Sequence, residues 1–181
     1  MSKIIECVPN FSEGTDQTKI NSIVSSIKSI QGVTVLDCDP GLDTNRTVVT
    51  FVGEPKSVIE AAFQGIKRAS ELIDMSLHKG THPRIGATDV CPIIPVSGVS
   101  IEECIEYSIL LAKKVGHELN IPVYLYEKSA IFPSRENLAS IREGEYEGLE
   151  QKLKDKNWKP DFGPTKFNKS AGATVIGCRE F

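Results

Sequence analysis

Val33-Thr34-Val35-Leu36-Asp37-Cys38-Asp39-Pro40-Gly41-Leu42-Asp43-Thr44-Asn45-Arg46-Thr47-Val48-Val49-Thr50-Phe51-Val52-Gly53 is the stretch that decides the fold. Val33 to Leu36 is a short apolar run, Asp37 to Gly41 is dense in turn-forming residues, and Thr47 to Val52 is β-branched and closed by Gly53. A parallel pair needs a long crossover, usually a helix, and the link here is too short for one. The two runs are therefore predicted to be antiparallel neighbours.

Upstream, Ile4-Ile5-Glu6-Cys7-Val8-Pro9 is a strand-like run stopped by Pro9, followed by Ile20, Ile23, Val24, Ile27 and Ile30 at three- and four-residue steps. Downstream, Pro55 suits the first turn of a helix whose buried stripe is Val58, Ile59, Ala62, Ile66, Ala69 and Ile73. Ala87 to Val96 reads as a strand interrupted by Pro92 and Pro95, which points to an edge position or a bulge. Ser100 with Glu103 is a capping-box pattern opening a further helix, and Pro122 stops it before the strand Val123-Tyr124-Leu125-Tyr126. Asn137 to Arg142 and Tyr146 to Leu153 read as short helices, Pro160 to Gly172 as a loop, and Ala173 to Cys178 as a last strand. The order contains the split β-α-β of ferredoxin-like folds. It predicts one α+β domain over residues 1–181, a mixed sheet with helices on one face, with a doubly wound parallel sheet as the alternative.

Composition narrows the function. The chain has 181 residues, 21 basic against 24 acidic, a net charge of -3, so bulk attraction to nucleic acid or an anionic membrane is not expected. The excess is uneven: residues 151–181 hold 7 basic and 3 acidic groups, residues 1–150 hold 14 and 21. No apolar run approaches the roughly 18–20 residues of a membrane span, and the start lacks a signal-peptide core, which predicts a cytoplasmic protein. Five scattered cysteines without a C-x-x-C pair read as reduced thiols. Neither a Gly-rich phosphate loop nor a G-x-S-x-G elbow is present.

Chemistry concentrates in His78-Lys79-Gly80-Thr81-His82-Pro83-Arg84-Ile85-Gly86, a loop rich in cations, glycine and proline that presents side chains. His82 is the candidate acid or base, because imidazole titrates near neutrality. A four-residue histidine spacing aligns metal ligands only on a helix, and Gly80 and Pro83 oppose one, so no metal is expected. Pro9 to Gly14, Asp37 to Arg46 and Phe162 to Gly172 share this polar, Gly- and Pro-rich character at strand ends.

Glu6-Cys7-Val8-Pro9-Asn10-Phe11-Ser12-Glu13-Gly14, Thr44-Asn45-Arg46-Thr47-Val48, the run from His78 to Pro92, Pro122 to Tyr126 and Pro160-Asp161-Phe162-Gly163-Pro164 together resemble the N-terminal subdomain of the glutamate formimidoyltransferase family, the formiminotransferase part of formiminotransferase-cyclodeaminase. The resemblance implies transfer of a formimino group from N-formimino-L-glutamate to N5 of tetrahydrofolate as co-substrate, in histidine degradation, without a metal. It puts the catalytic acid or base on His82 and the folate contacts on Gly163-Pro164-Thr165-Lys166-Phe167-Asn168-Lys169-Ser170-Ala171-Gly172. With it, Arg46, Arg84, Lys166 and Lys169 become expected partners for substrate anions, and Asp39 a group that orients His82 or holds the amidinium. Two departures stand out: Ala171 occupies a place where a bulky aromatic is expected, and the chain stops at Phe181, near where a second subdomain would begin. A homodimer or association with that subdomain is expected. The alternative is a non-catalytic folate-binding or interaction module that pairs with a second subdomain or partner chain.

Overall fold

The computed structural model describes residues 2–181. β1 (Ile4–Cys7) and β2 (Asn10–Phe11) are halves of one strand, broken at Val8-Pro9, and both pair with the same two neighbours. After α1 (Gln17–Lys28) come β3 (Val33–Gly41), β4 (Arg46–Gly53), α2 (Pro55–Leu72) and β5 (Thr88–Ser97). β3 pairs antiparallel with β4, β4 with the broken strand, and that strand with β5, which is the predicted split β-α-β. α3 (Ile101–Leu119) then leads to β6 (Val123–Leu125), and β7 (Thr174–Cys178) inserts parallel between β5 and β6. The result is a mixed seven-stranded sheet in an α+β fold, which excludes the doubly wound alternative.

Local chemistry sets the boundaries. Asp16 caps α1 by accepting the Thr18 and Lys19 N–H groups, and Ser100 caps α3 through the Glu103 N–H at 3.1 Å. Asn120, in the left-handed region at φ 56, ends α3 two residues before Pro122. Along β4 the side chains alternate: Thr47, Val49 and Phe51 are buried toward α1, α2 and α3, while Arg46, Val48, Thr50 and Val52 face the other way. Ile23 and Ile27 of α1, Val58, Ala62 and Ile66 of α2 and Leu111 and Val115 of α3 complete that core.

Three expectations change. The three long helices lie on one face, but the short α4 (Leu138–Arg142) and α5 (Glu145–Lys154) cover the other face at the β5-β7-β6 end. There Ile141, Leu149 and Leu153 meet Val90, Tyr124 and Val175 in a second apolar cluster, because those strands are apolar on both faces. Asp37 to Gly41 is not a turn: β3 runs on to Gly41 and the chain reverses over residues 42–45, Pro40 being tolerated because β3 is an edge strand. β5, conversely, is central. Its Pro92 lies opposite the Val8-Pro9 break, where the ladder is interrupted anyway, and the register slips beside Pro95, so the bulge reading holds and the edge reading does not.

Because α4 and α5 cover only part of it, the second face of the sheet stays open over β3, β4 and the broken strand. Asp39, Arg46, Val48 and Asn10 share this open face by register: Asp39 and Asn10 both pair with Val48, and Arg46 is two residues before it.

Candidate active site

The loop between α2 and β5 is held from several sides. The His78 Nδ1 accepts from the Arg84 Nε at 3.0 Å, and its Nε2 donates to the Asn45 carbonyl at 2.8 Å. Asn45, at φ 50, accepts the Gly14 N–H with its side-chain oxygen and donates its amide to the Lys79 carbonyl. Arg84, 8% exposed, forks onto Glu147 with Nη1 and Nη2 and reaches Glu145, so it fastens the loop to α5. Gly80 and Gly86 complete the shape, since a Cβ would come 2.2 Å from the Thr44 carbonyl oxygen and 1.9 Å from that of Ala173.

His82 stands out from this clasp, partly exposed. Its Nδ1 lies 2.6 Å from the Pro83 carbonyl, an acceptor only, so Nδ1 carries the proton and Nε2 keeps its lone pair outward. Partial burial lowers the pKa of His82 below the ordinary histidine value, and the Arg46 and Arg142 guanidiniums add to the fall, against the Pro83 hydrogen bond and the Asp89 carboxylate. In its neutral form the ring can take up a proton at Nε2. Asp89, 1% exposed, accepts the Ile85 N–H at 2.7 Å and the Arg142 guanidinium, Nε at 2.8 Å, tying β5, the His82 loop and α4 into one unit. Burial raises the Asp89 pKa, and Arg142 opposes that rise.

Beside this unit, on the open face, is a cleft of about 340 Å³. Val90, Pro92 and Ile94 floor it, and Arg46, Arg142 and Arg179 converge on it with Asn10 and Asn137. Tyr126 and Glu127 close one side.

The segment from Gly163 to Gly172 takes a different place. Pro164, Lys166, Phe167, Asn168, Lys169 and Ser170 line a separate hollow of about 610 Å³ with Asp74, Ser76 and Asn120. Asn168 organises the turn, its side-chain oxygen accepting from Ala171 and its carbonyl from Gly172. Phe167 packs on Tyr146 at 5.5 Å, and the Tyr146 hydroxyl donates to the Lys169 carbonyl. Gly163 and Thr165 do not line the hollow; Gly163, at φ 84, packs its backbone against the Ile121 carbonyl. Ala171 and Gly172 are buried, and the Ala87 N–H donates to the Ala171 carbonyl, so this end of the segment abuts the base of the His82 loop.

Among the expected residues, Arg46 and Asp39 share the open face by register and the Arg46 charge reaches the His82 ring, whereas the 163–172 segment lines its own hollow. Arg84 is spent on Glu145, Glu147 and His78, which removes it as a free anion partner. Asp39 is exposed and does not hold the His82 ring, because the Pro83 carbonyl already does. Sequence reasoning missed Asp89, Arg142 and Arg179. Asp89 and Arg142 lie 53 residues apart, and nothing local to either signals the pairing.

The family model described as formiminotransferase domain, N-terminal subdomain, matches residues 4–179. The chain is 53% identical over its full length to a protein of Dictyostelium discoideum named formimidoyltransferase-cyclodeaminase, covering 34% of that protein. It is 50% identical over 99% of its length to glutamate formimidoyltransferase of Streptococcus pyogenes, covering 60% of it. Against a protein of Arabidopsis thaliana named formiminotransferase cyclodeaminase-like protein the identity is 28%, over 94% of this chain and 62% of that one. The chain therefore spans about a third to three fifths of these relatives. By sequence and by the family model it belongs to the formiminotransferase N-terminal subdomain family, whose curated relatives are named as transferases.

Proposed function

We propose that this chain supplies the acid–base half of a formimidoyl-transfer site, moving the formimino group of N-formimino-L-glutamate to N5 of tetrahydrofolate. The observation that carries the reading is His82, with Nδ1 fixed on the Pro83 carbonyl, Nε2 free, and a pKa lowered by partial burial and by the Arg46 and Arg142 charges. N5 bonds to the amidine carbon and gives up its proton to Nε2; the same proton then passes to the glutamate nitrogen as its bond to that carbon breaks. One imidazole serves both steps in turn, and no net proton is gained or lost at the enzyme. The names of the relatives support the transfer, and the 163–172 segment expected to contact folate meets the base of the His82 loop through the hydrogen bond from the Ala87 N–H to the Ala171 carbonyl.

The test is His82→Gln in the chain assembled with whatever second subdomain it works with. Turnover is expected to fall roughly 10²–10⁴-fold, the usual worth of a positioned acid–base group, with the affinity for 5-formyltetrahydrofolate unchanged. An unaltered rate would sink the acid–base assignment. Folate binding by the parent protein with no transfer under any condition would favour the non-catalytic module.

A further inference from the structure

Arg46 at the start of β4, Arg142 at the end of α4 and Arg179 just past β7 come from three separate elements to one cleft of about 340 Å³. That is the small end of the range for ligand sites, roughly 300–1,000 Å³. Among the described residues neither Arg46 nor Arg179 has an ion-pair or hydrogen-bond partner for its guanidinium, and Arg142 leaves its Nη1 unengaged. Arg46 and Arg179, which form no ion pair, face one space and repel, Arg142 being compensated by the buried Asp89, and the single acidic side chain in the lining is Glu127. An anion resolves that repulsion.

The cleft also has a shape. Arg142 is a fixed fork, 14% exposed and clamped by the buried Asp89, while Arg46 and Arg179 stand on the rim and can adjust. Guanidinium forks match carboxylates two bonds at a time, which lysine ammoniums such as Lys166 and Lys169 cannot do. Between them Val90, Pro92 and Ile94 offer an apolar floor suited to a short methylene chain, and Asn10 and Asn137 offer amide groups for polar atoms.

We propose that Arg46, Arg142 and Arg179 form a dicarboxylate subsite, holding the two carboxylates of the amino-acid donor across the apolar floor and beside His82. Naming the donor as an N-substituted glutamate rests on the transfer reading above; the dicarboxylate chemistry does not. The subsite lies wholly within this chain, so the isolated protein must show it.

The experiment is an NMR titration of the 181-residue chain with glutarate and L-glutamate, with butyrate and inorganic phosphate as comparisons, following arginine Nε–H signals. Saturable glutarate binding at millimolar concentration is expected, tighter than butyrate and phosphate, with shifts at Arg46, Arg142 and Arg179. Arg46→Gln and Arg179→Gln, both at the cleft rim, are each expected to weaken glutarate at least fivefold while the amide spectrum stays folded. Arg142→Lys, which keeps a charge for Asp89, is expected to do the same; if it unfolds, the two rim variants decide. Absence of saturable glutarate binding, equal binding of phosphate, shifts confined to residues 163–172, or unaffected rim variants would each overturn the proposal. Glutarate binding by the arginines together with an unaltered rate in His82→Gln would instead sink the acid–base reading and leave the subsite standing.

Discussion

His82 sits in a field of opposing charges, and the balance fixes what it can do. Burial, Arg46 and Arg142 favour the neutral ring; the Pro83 carbonyl and Asp89 favour the imidazolium. Arg46→Gln removes one repulsive charge and stabilises the protonated ring, so the His82 pKa is expected to rise. A ring-proton NMR titration of the variant against the parent reads this directly, and a fall or no change would mean that Arg46 does not face the ring. The acid limb of any rate profile that reports His82 should move up in pH with it. His82 was legible in the sequence because a loop of glycines, prolines and cations cannot bury its side chains. Its neighbours were not, because Asp89 lies in a buried strand and Arg142 at the end of a five-residue helix, places where a charged residue usually has only a structural meaning.

At the scale of elements, the His82 loop is shaped by what lies under it: the β3–β4 reversal on one side and α5 on the other. The clasp from Asn45 through His78 and Arg84 to Glu147 joins three segments remote in sequence. Hydrogen bonding to Arg84 holds the Glu147 carboxyl at a pKa of about 2, below its ordinary 4.5. A depressed carboxylate stabilises the fold fully above 4.5, and that contribution fades as pH falls toward about 2. Glu147 is 66% exposed, so solvent screening limits the pair to less than ~1 kcal/mol. Glu147→Gln is therefore expected to lose that small stability at pH 7 and nearly none at pH 2, in paired urea unfolding curves. A constant difference across that window would place the stabilising contact elsewhere. The sequence showed that α5 would form but not which face of the sheet it would cover, since Leu149 and Leu153 suit any apolar surface. It also misread Asp37 to Gly41, because the turn-forming residues there tolerate an edge strand as readily as a turn.

Across the whole molecule one sheet serves two cores, and the open face is what they leave. Toward α1, α2 and α3 the sheet buries Val49 and Phe51; toward α4 and α5 it buries Val90, Tyr124 and Val175. The split β-α-β and its antiparallel pairs followed from short links and hydrophobic period, whereas the second core did not, because strands apolar on both faces give no period to read. β4 makes the asymmetry testable. Phe51→Ala is expected to cost ~3–5 kcal/mol, and Leu149→Ala in the second core ~2–5 kcal/mol. Val48→Thr, on the same strand but on the open face, is expected to cost less than about 1 kcal/mol. Because β5 and β7 carry side chains into both cores, Leu149→Ala should lower one common transition, by circular dichroism and by tryptophan fluorescence from Trp158 alike. Two separated transitions would mean that the α4–α5 cover unfolds by itself. In that case Arg142, which α4 carries to Asp89, would leave the cleft with it, and the dicarboxylate subsite would be lost before the main core melts.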